Sequence, residues 1–179
     1  MAICVGGARV WWVNNRPLGY AIALAVLVFD QLSKYWAASI LLLPQRYSVE
    51  ILPIFRLMWV ENHGVSMGFL WADGEAQRWL LSAATAGIAI GVGVWLWREK
   101  KRPDAIALGL VMGGAIGNIL DRVRLGYVQD FLNLHFGAWS PFYVFNIADA
   151  GISIGVALLV LRALVTRDAT PSEKRNDQA

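Results

Sequence analysis

The chain has 179 residues, of which 57% are hydrophobic and 16% charged, with a net charge of +3. A soluble domain carries about 25% charged residues, so this balance, with a mean hydropathy of +0.48, excludes an ordinary soluble globule and points to a membrane protein. The basic residues gather at the ends of apolar segments instead of forming a nucleic-acid footprint, and Cys4, the lone cysteine, rules out an intrachain disulfide.

The first apolar run, 17–43, is interrupted only by Asp30, Gln31, Ser33 and Lys34. It exceeds the roughly 20 residues needed to cross a bilayer. A cleaved signal peptide fits less well, because its apolar region is shorter and would not carry Asp and Lys. Residues 44–75 change texture. Val49–Pro53 and Phe55–Val60 read as short strands of an extramembrane lobe, followed by a polar turn at Glu61–Gly64. A second apolar helix is expected over 78–97, a basic hairpin over 98–104, a third helix over 105–125 and a fourth over 144–165. Residues 167–179 read as a polar tail. The expected fold is thus a membrane all-α bundle of four transmembrane helices in a single domain, with a small extracytoplasmic β-lobe between helices one and two. Small residues recur four apart, as in Gly109/Gly113/Gly117 and Gly151/Gly155, which suits close helix packing.

Arg9, Arg16, Arg98, Lys100, Lys101, Arg102, Arg162, Arg167, Lys174 and Arg175 flank one side of a four-span arrangement. The positive-inside rule places that side, and both termini, in the cytoplasm and the lobe outside. Arg122 and Arg124 fall at the outer end against this rule, which suggests a specific partner.

The charges inside the apolar segments carry the functional reading. At about 1.5 Å per residue, Asp30 lies about 20 Å from the inner end of helix one, and Lys34 and Asp121 about 26 Å from theirs. Helix four runs the other way and puts Asp149 roughly 6 Å below the outer edge. Asp130, in the loop leaving helix three, can fold back to the same level. Asp30 and Lys34 are spaced as an i,i+4 ion pair. Asp121 beside Arg122 reads as an ionised anchor at a helix end. Asp130 and Asp149 have apolar neighbours and no adjacent cation, so burial is expected to raise their pKa values and to make them share a proton. Such a pair suits an aspartyl protease, and intramembrane carboxylates equally suit a small proton- or ion-coupled transporter.

Other motifs carry less. Gly151-Ile152-Ser153-Ile154-Gly155 matches G-x-S-x-G but lies within an apolar helix, not on a strand–turn–helix elbow. His63 and His135 form no zinc signature, and there is no Gly-rich phosphate loop. No metal and no cofactor are expected.

Five blocks, in order between residues 30 and 149, resemble the lipoprotein signal peptidases (signal peptidase II). They are Asp30-Gln31-Leu32-Ser33-Lys34, the Asn62–Gly68 segment NHGVSMG, the Gly113–Arg122 segment GGAIGNILDR, Val128-Gln129-Asp130-Phe131, and Phe145-Asn146-Ile147-Ala148-Asp149. The resemblance implies a bacterial inner-membrane aspartyl endopeptidase, expected to be a monomer, whose partners are membrane lipid and diacylglyceryl-modified prolipoproteins cut just before the lipidated cysteine. It implies Asp130 and Asp149 as the catalytic pair near the periplasmic face. It implies site-shaping or substrate-contacting roles for Asn62, Gly64, Asn118, Arg122, Asn146 and Ala148, beside Asp30, Lys34 and Asp121. Met67 departs from the family's usual Phe.

Overall fold

The computed structural model describes residues 15–64, 74–137 and 139–167, together with two short strands, β1 (Cys4–Val5) and β2 (Ala8–Arg9), which pair antiparallel. The segment that holds Met67 and the chain beyond Arg167 lie outside the described residues.

Helix α1 (Arg16–Tyr35) starts on Pro17, whose fixed φ suits a first turn and whose missing N–H needs no partner there. A π-helical turn, Trp36–Ile40, continues it, and after a break at Leu41–Leu42 a single turn, α2 (Leu43–Arg46), leads into the sheet. The apolar run 17–43 is therefore helical only to Ile40. Helix α3 (Gly74–Arg98) begins before the expected position, and α4 (Arg102–Leu125) starts on Pro103, which shortens the basic hairpin to a few residues. Helix α5 spans Ile147–Arg167 and contains the whole Gly151–Gly155 segment, so Ser153 sits in regular helix. Among the described residues, four helices, at 16–40, 78–98, 102–125 and 147–165, are long and apolar enough to cross a membrane.

Helix α4 is the hub and the most buried of the four. Its glycine stripe lets backbones touch: a β-carbon at Gly113 would strike the Ala23 backbone, and one at Gly117 would lie 2.6 Å from Asp30 Oδ2. The helix ends at Gly126, which takes the left-handed φ of 90° and returns its N–H to the Arg122 carbonyl.

The sheet is three-stranded and antiparallel, ordered β3 (Ser48–Leu52), β4 (Phe55–Asn62), β5 (Val128–Leu134). The first two strands match the expected pair, although β4 runs on through Glu61 and Asn62, where a turn was expected. The third strand corrects the expectation that Asp130 lies in a loop. Val128–Leu134 alternates only weakly, because it is buried on both faces, so its period-two signal is lost. Its register sets Val60 opposite Asp130 and Asn62 opposite Val128. The sheet is seated on the end of α1 through Ala37, Leu43, Leu57 and Phe131.

Candidate active site

The expected charges converge. Asp30 and Lys34 come from α1, Asn118 and Asp121 from α4, Asp130 from β5, and Asn146 and Asp149 from the start of α5. Seven expected site residues are buried: Asp30, Lys34, Asn118, Asp121, Asp130, Asn146 and Ala148. Ionic and amide groups at such depth persist only when paired, and here they pair with one another.

The lower tier is an ion cluster. Lys34 Nζ lies 2.7 Å from both Asp30 Oδ2 and Asp121 Oδ2. Gln31 Nε2 donates to Asp30 Oδ2 at 3.1 Å and to Asp121 Oδ1 at 3.0 Å. The Ala148 N–H donates to Asp30 Oδ1 at 2.9 Å, and the Gln129 N–H to Asp121 Oδ2 at 3.2 Å. The i,i+4 spacing of Asp30 and Lys34 was thus a true pair. Asp121, expected to pair with its neighbour Arg122, instead takes Lys34: adjacent helical residues point about 100° apart, while Lys34 reaches across from the facing helix.

The upper tier holds Asp130 and Asp149 in a frame of three asparagines. Asn118 Nδ2 donates to Asp149 Oδ1 at 2.7 Å, and the Asn146 backbone N–H donates to Asp149 Oδ2 at 3.2 Å. Asn146 Nδ2 donates to Asp130 Oδ1 at 2.7 Å, and Asn62 Nδ2 to Asp130 Oδ2 at 2.9 Å. Each amide orientation is set by a group that can only donate. The Asp149 N–H faces Asn146 Oδ1 at 2.9 Å, the Gly64 N–H faces Asn62 Oδ1 at 2.9 Å, and the Lys34 ammonium faces Asn118 Oδ1 at 3.3 Å. Gly64 reaches this position with φ of 94°, a conformation that favours glycine.

Burial pushes the Asp130 carboxyl from 3.8 up to about 6, and the Asp149 charge adds to the rise. The hydrogen bonds from Asn62 and Asn146 and the Lys34 charge pull the other way. Arg122 hydrogen-bonds neither carboxylate, yet it interacts electrostatically with Asp149, Asp130 and Asp121, so the two carboxylates do have a cation nearby. Its buried Nε has no hydrogen-bond partner among the described residues.

Two contributors were not singled out in the sequence. Gln31 bridges Asp30 and Asp121, and its place beside Asp30 in the first block was the available signal. Gly117 lends its carbonyl to Gln31 at 3.4 Å and leaves room for Asp30; its place in the glycine stripe disguised it as ordinary packing. Among the described residues, no group of three or more His, Cys, Asp and Glu side chains is arranged to hold a metal ion.

The family model for signal peptidase (SPase) II matches residues 22–165, which include every residue of both tiers. The chain belongs to the signal peptidase II family. The lipoprotein signal peptidase of Rhizorhabdus wittichii is 58% identical over 154 residues, covering 86% of this chain and 90% of that protein. The lipoprotein signal peptidase of Sphingopyxis alaskensis is 43% identical over 160 residues, covering 86% and 92%. A bacterial membrane enzyme solved by the in meso method at 2.3 Å resolution superposes with a TM-score of 0.70 and 27% identity, over 90% of this chain and 95% of that one. As a signal peptidase II the chain is a peptidase, and its long apolar helices are those of a membrane protein.

Proposed function

We propose that the chain is an intramembrane aspartyl endopeptidase that removes signal peptides from diacylglyceryl-modified prolipoproteins, cleaving just before the lipidated cysteine. Membership of the signal peptidase II family supports the substrate class. The observation that carries the chemistry is the shared Asn146 side chain and backbone. It donates to Asp130 Oδ1 at 2.7 Å and to Asp149 Oδ2 at 3.2 Å, and so ties two carboxylates from separate elements into one unit.

Asp130, the carboxyl that holds a proton up to about pH 6, is the acid of the pair. Asp149, tied to Asp130 through Asn146, is the base. Asp149 takes a proton from water as the water oxygen attacks the scissile carbonyl carbon. Asp130 gives its proton to the carbonyl oxygen. The tetrahedral diol then collapses: the C–N bond breaks, Asp149 returns its proton to the leaving nitrogen, and Asp130 recovers one from a diol hydroxyl. Arg122, with an unpartnered Nε, is suited to hold a substrate carbonyl beside the pair.

The basic residues at the far ends of the helices support cytoplasmic termini and a site at the periplasmic side of the inner membrane. In that orientation the acyl chains stay in the bilayer while the peptide bond meets the carboxylates at its boundary. Confinement to one depth raises the effective substrate concentration.

The test is cleavage of a lipidated precursor and its unlipidated counterpart by purified protein. Wild type is expected to cut only the lipidated form, and Asp130→Asn and Asp149→Asn to cut neither while still inserting in the membrane. Processing by either variant at the wild-type rate would remove the catalytic assignment.

A further inference from the structure

The basic hairpin between α3 and α4 takes no part in the peptidase site. It stands at the opposite end of α4 from the carboxylates: Arg102 opens that helix, and Asn118 follows about 24 Å further along it at about 1.5 Å per residue. Arg98-Glu99-Lys100-Lys101-Arg102 holds four cations and one carboxylate. Glu99 is engaged within the hairpin, where its Oε1 accepts the Lys100 N–H at 2.9 Å and the Lys101 N–H at 2.8 Å. The next carboxylate along the chain, Asp104, is held by Arg162 of α5 at 3.0 Å. Among the described residues neither Arg98 nor Arg102 enters an ion pair. Like charges this close repel one another, and an anion brought among them lowers that cost.

The hairpin is also fixed in shape. Asn15 Nδ2, just ahead of α1, donates to the Lys100 carbonyl at 2.8 Å, and the Ala105 N–H donates to the Lys101 carbonyl at 3.0 Å. Arg16, the first residue of α1, sets its guanidinium over the Trp97 ring, 5.0 Å from the centroid. Cations from α1, α3 and α4 therefore gather at one corner of the bundle. What meets them follows from their depth. The hairpin joins two helices long and apolar enough to cross a membrane, 78–98 and 102–125, so its charges lie at a membrane boundary. Trp95 and Trp97, both exposed at the end of α3, are side chains that favour that boundary. A dense basic group immediately beyond a membrane span attracts anionic lipid headgroups. A guanidinium can also grip two oxygens of one phosphate at once.

We infer that the Arg98–Arg102 hairpin is a binding site for the phosphodiester of an anionic phospholipid, with Arg98, Lys101 and Arg102 as its cations and Trp95 and Trp97 beside it at the membrane boundary. This rests on the reading that the helices cross a membrane. A zwitterionic lipid presents the same phosphodiester but brings an ammonium of its own, which the hairpin cations repel, so the site selects a headgroup of net negative charge. The bound headgroup joins the start of α1, the end of α3 and the start of α4, at the end of the bundle remote from the carboxylate pair.

The test adds phosphatidylglycerol or phosphatidylcholine of the same acyl chains to the purified full chain in a non-ionic detergent, with native mass spectrometry reading the bound lipid. Wild type is expected to hold phosphatidylglycerol about tenfold or more tightly than phosphatidylcholine, and Arg98→Gln/Lys101→Gln/Arg102→Gln to lose that preference. Arg98→Lys/Arg102→Lys, which keeps the charge, is expected to stay within a few-fold of wild type. Equal binding of the two lipids by wild type overturns the inference, and so does an undiminished preference in the triple variant or its loss in the charge-keeping one. Inorganic phosphate, matched against chloride at equal ionic strength, is expected to leave the lipid bound; displacement by phosphate makes this a soluble-anion site and overturns the lipid assignment. A photoreactive phosphatidylglycerol on wild type tests the place without any substitution: cross-links are expected within residues 95–102, and cross-links confined to other segments overturn it. Cleavage of a lipidated precursor by the same wild-type preparation reports the peptidase reading separately, so either reading can fail while the other stands.

Discussion

Asn118 donates a 2.7 Å hydrogen bond from Nδ2 to Asp149 Oδ1. Its own Oδ1 is claimed by the Lys34 ammonium and by Asn146 Nδ2, so the amide cannot flip without setting donor against donor. Asn118 thereby connects the ion cluster to the carboxylate pair. A hydrogen bond to a charged group contributes about 1.5–3 kcal/mol, so Asn118→Ala is expected to lower kcat roughly 10- to 100-fold with a smaller change in KM. Steady-state cleavage of a lipidated precursor checks this, and a loss confined to KM would count against it.

The raised Asp130 carboxyl makes stability depend on pH. Its folded pKa of about 6 lies above the unfolded value of 3.8, so the native state binds the extra proton between those values. The contribution is complete below about pH 4 and is lost as pH rises through 6, to a total of about 3 kcal/mol. Thermal unfolding in detergent is expected to show wild type losing stability relative to Asp130→Asn across that window. A wild-type-minus-variant difference that stays constant from pH 4 to 8 would refute the burial argument.

Lys34 neutralises two buried carboxylates. Lys34→Met leaves Asp30 and Asp121 without the ammonium that bonds both, and removal of one partner from a buried ion cluster costs about 3–5 kcal/mol. Adding Asp30→Asn to Lys34→Met is expected to recover part of that loss, because it removes one of the two stranded charges. Unfolding midpoints of the single and double variants measure the recovery, and an equal or greater loss in the double variant would contradict the shared-cation reading.

The glycines separate by what stands opposite them. At Gly117 a β-carbon would sit 2.6 Å from Asp30 Oδ2 and 3.2 Å from its Cγ, so Gly117→Ala must displace a buried, fully bonded carboxylate. A loss of about 1–3 kcal/mol is expected, the range for overpacking a tight interior. At Gly87, in the middle of α3, nothing among the described residues lies within 4 Å of that point. Gly87→Ala is expected to stabilise by roughly 0.5–1 kcal/mol through helix propensity alone. Unfolding of the two variants side by side tests the contrast.

Much of this arrangement is legible in the chain. The apolar runs are long enough to reveal four candidate spans, and within them a charge is so costly that Asp30, Lys34, Asp121 and Asp149 stand out without any structure. A fixed rise per residue then places them at one depth, since helical geometry is local. What folding decides is lateral: which of several groups at that depth touch. Asp121 was assigned to its neighbour Arg122, yet it pairs with Lys34 from another helix, because bonding partners are chosen by helix rotation and packing, not by position along the chain. Asp130 looked like a loop residue because a strand buried on both faces has no alternation, and only pairing with β4 turns Val128–Leu134 into the strand that carries it over α5. The asparagine orientations likewise exist only in three dimensions, since an amide has no preferred sense until a backbone N–H or an ammonium is brought against one end of it.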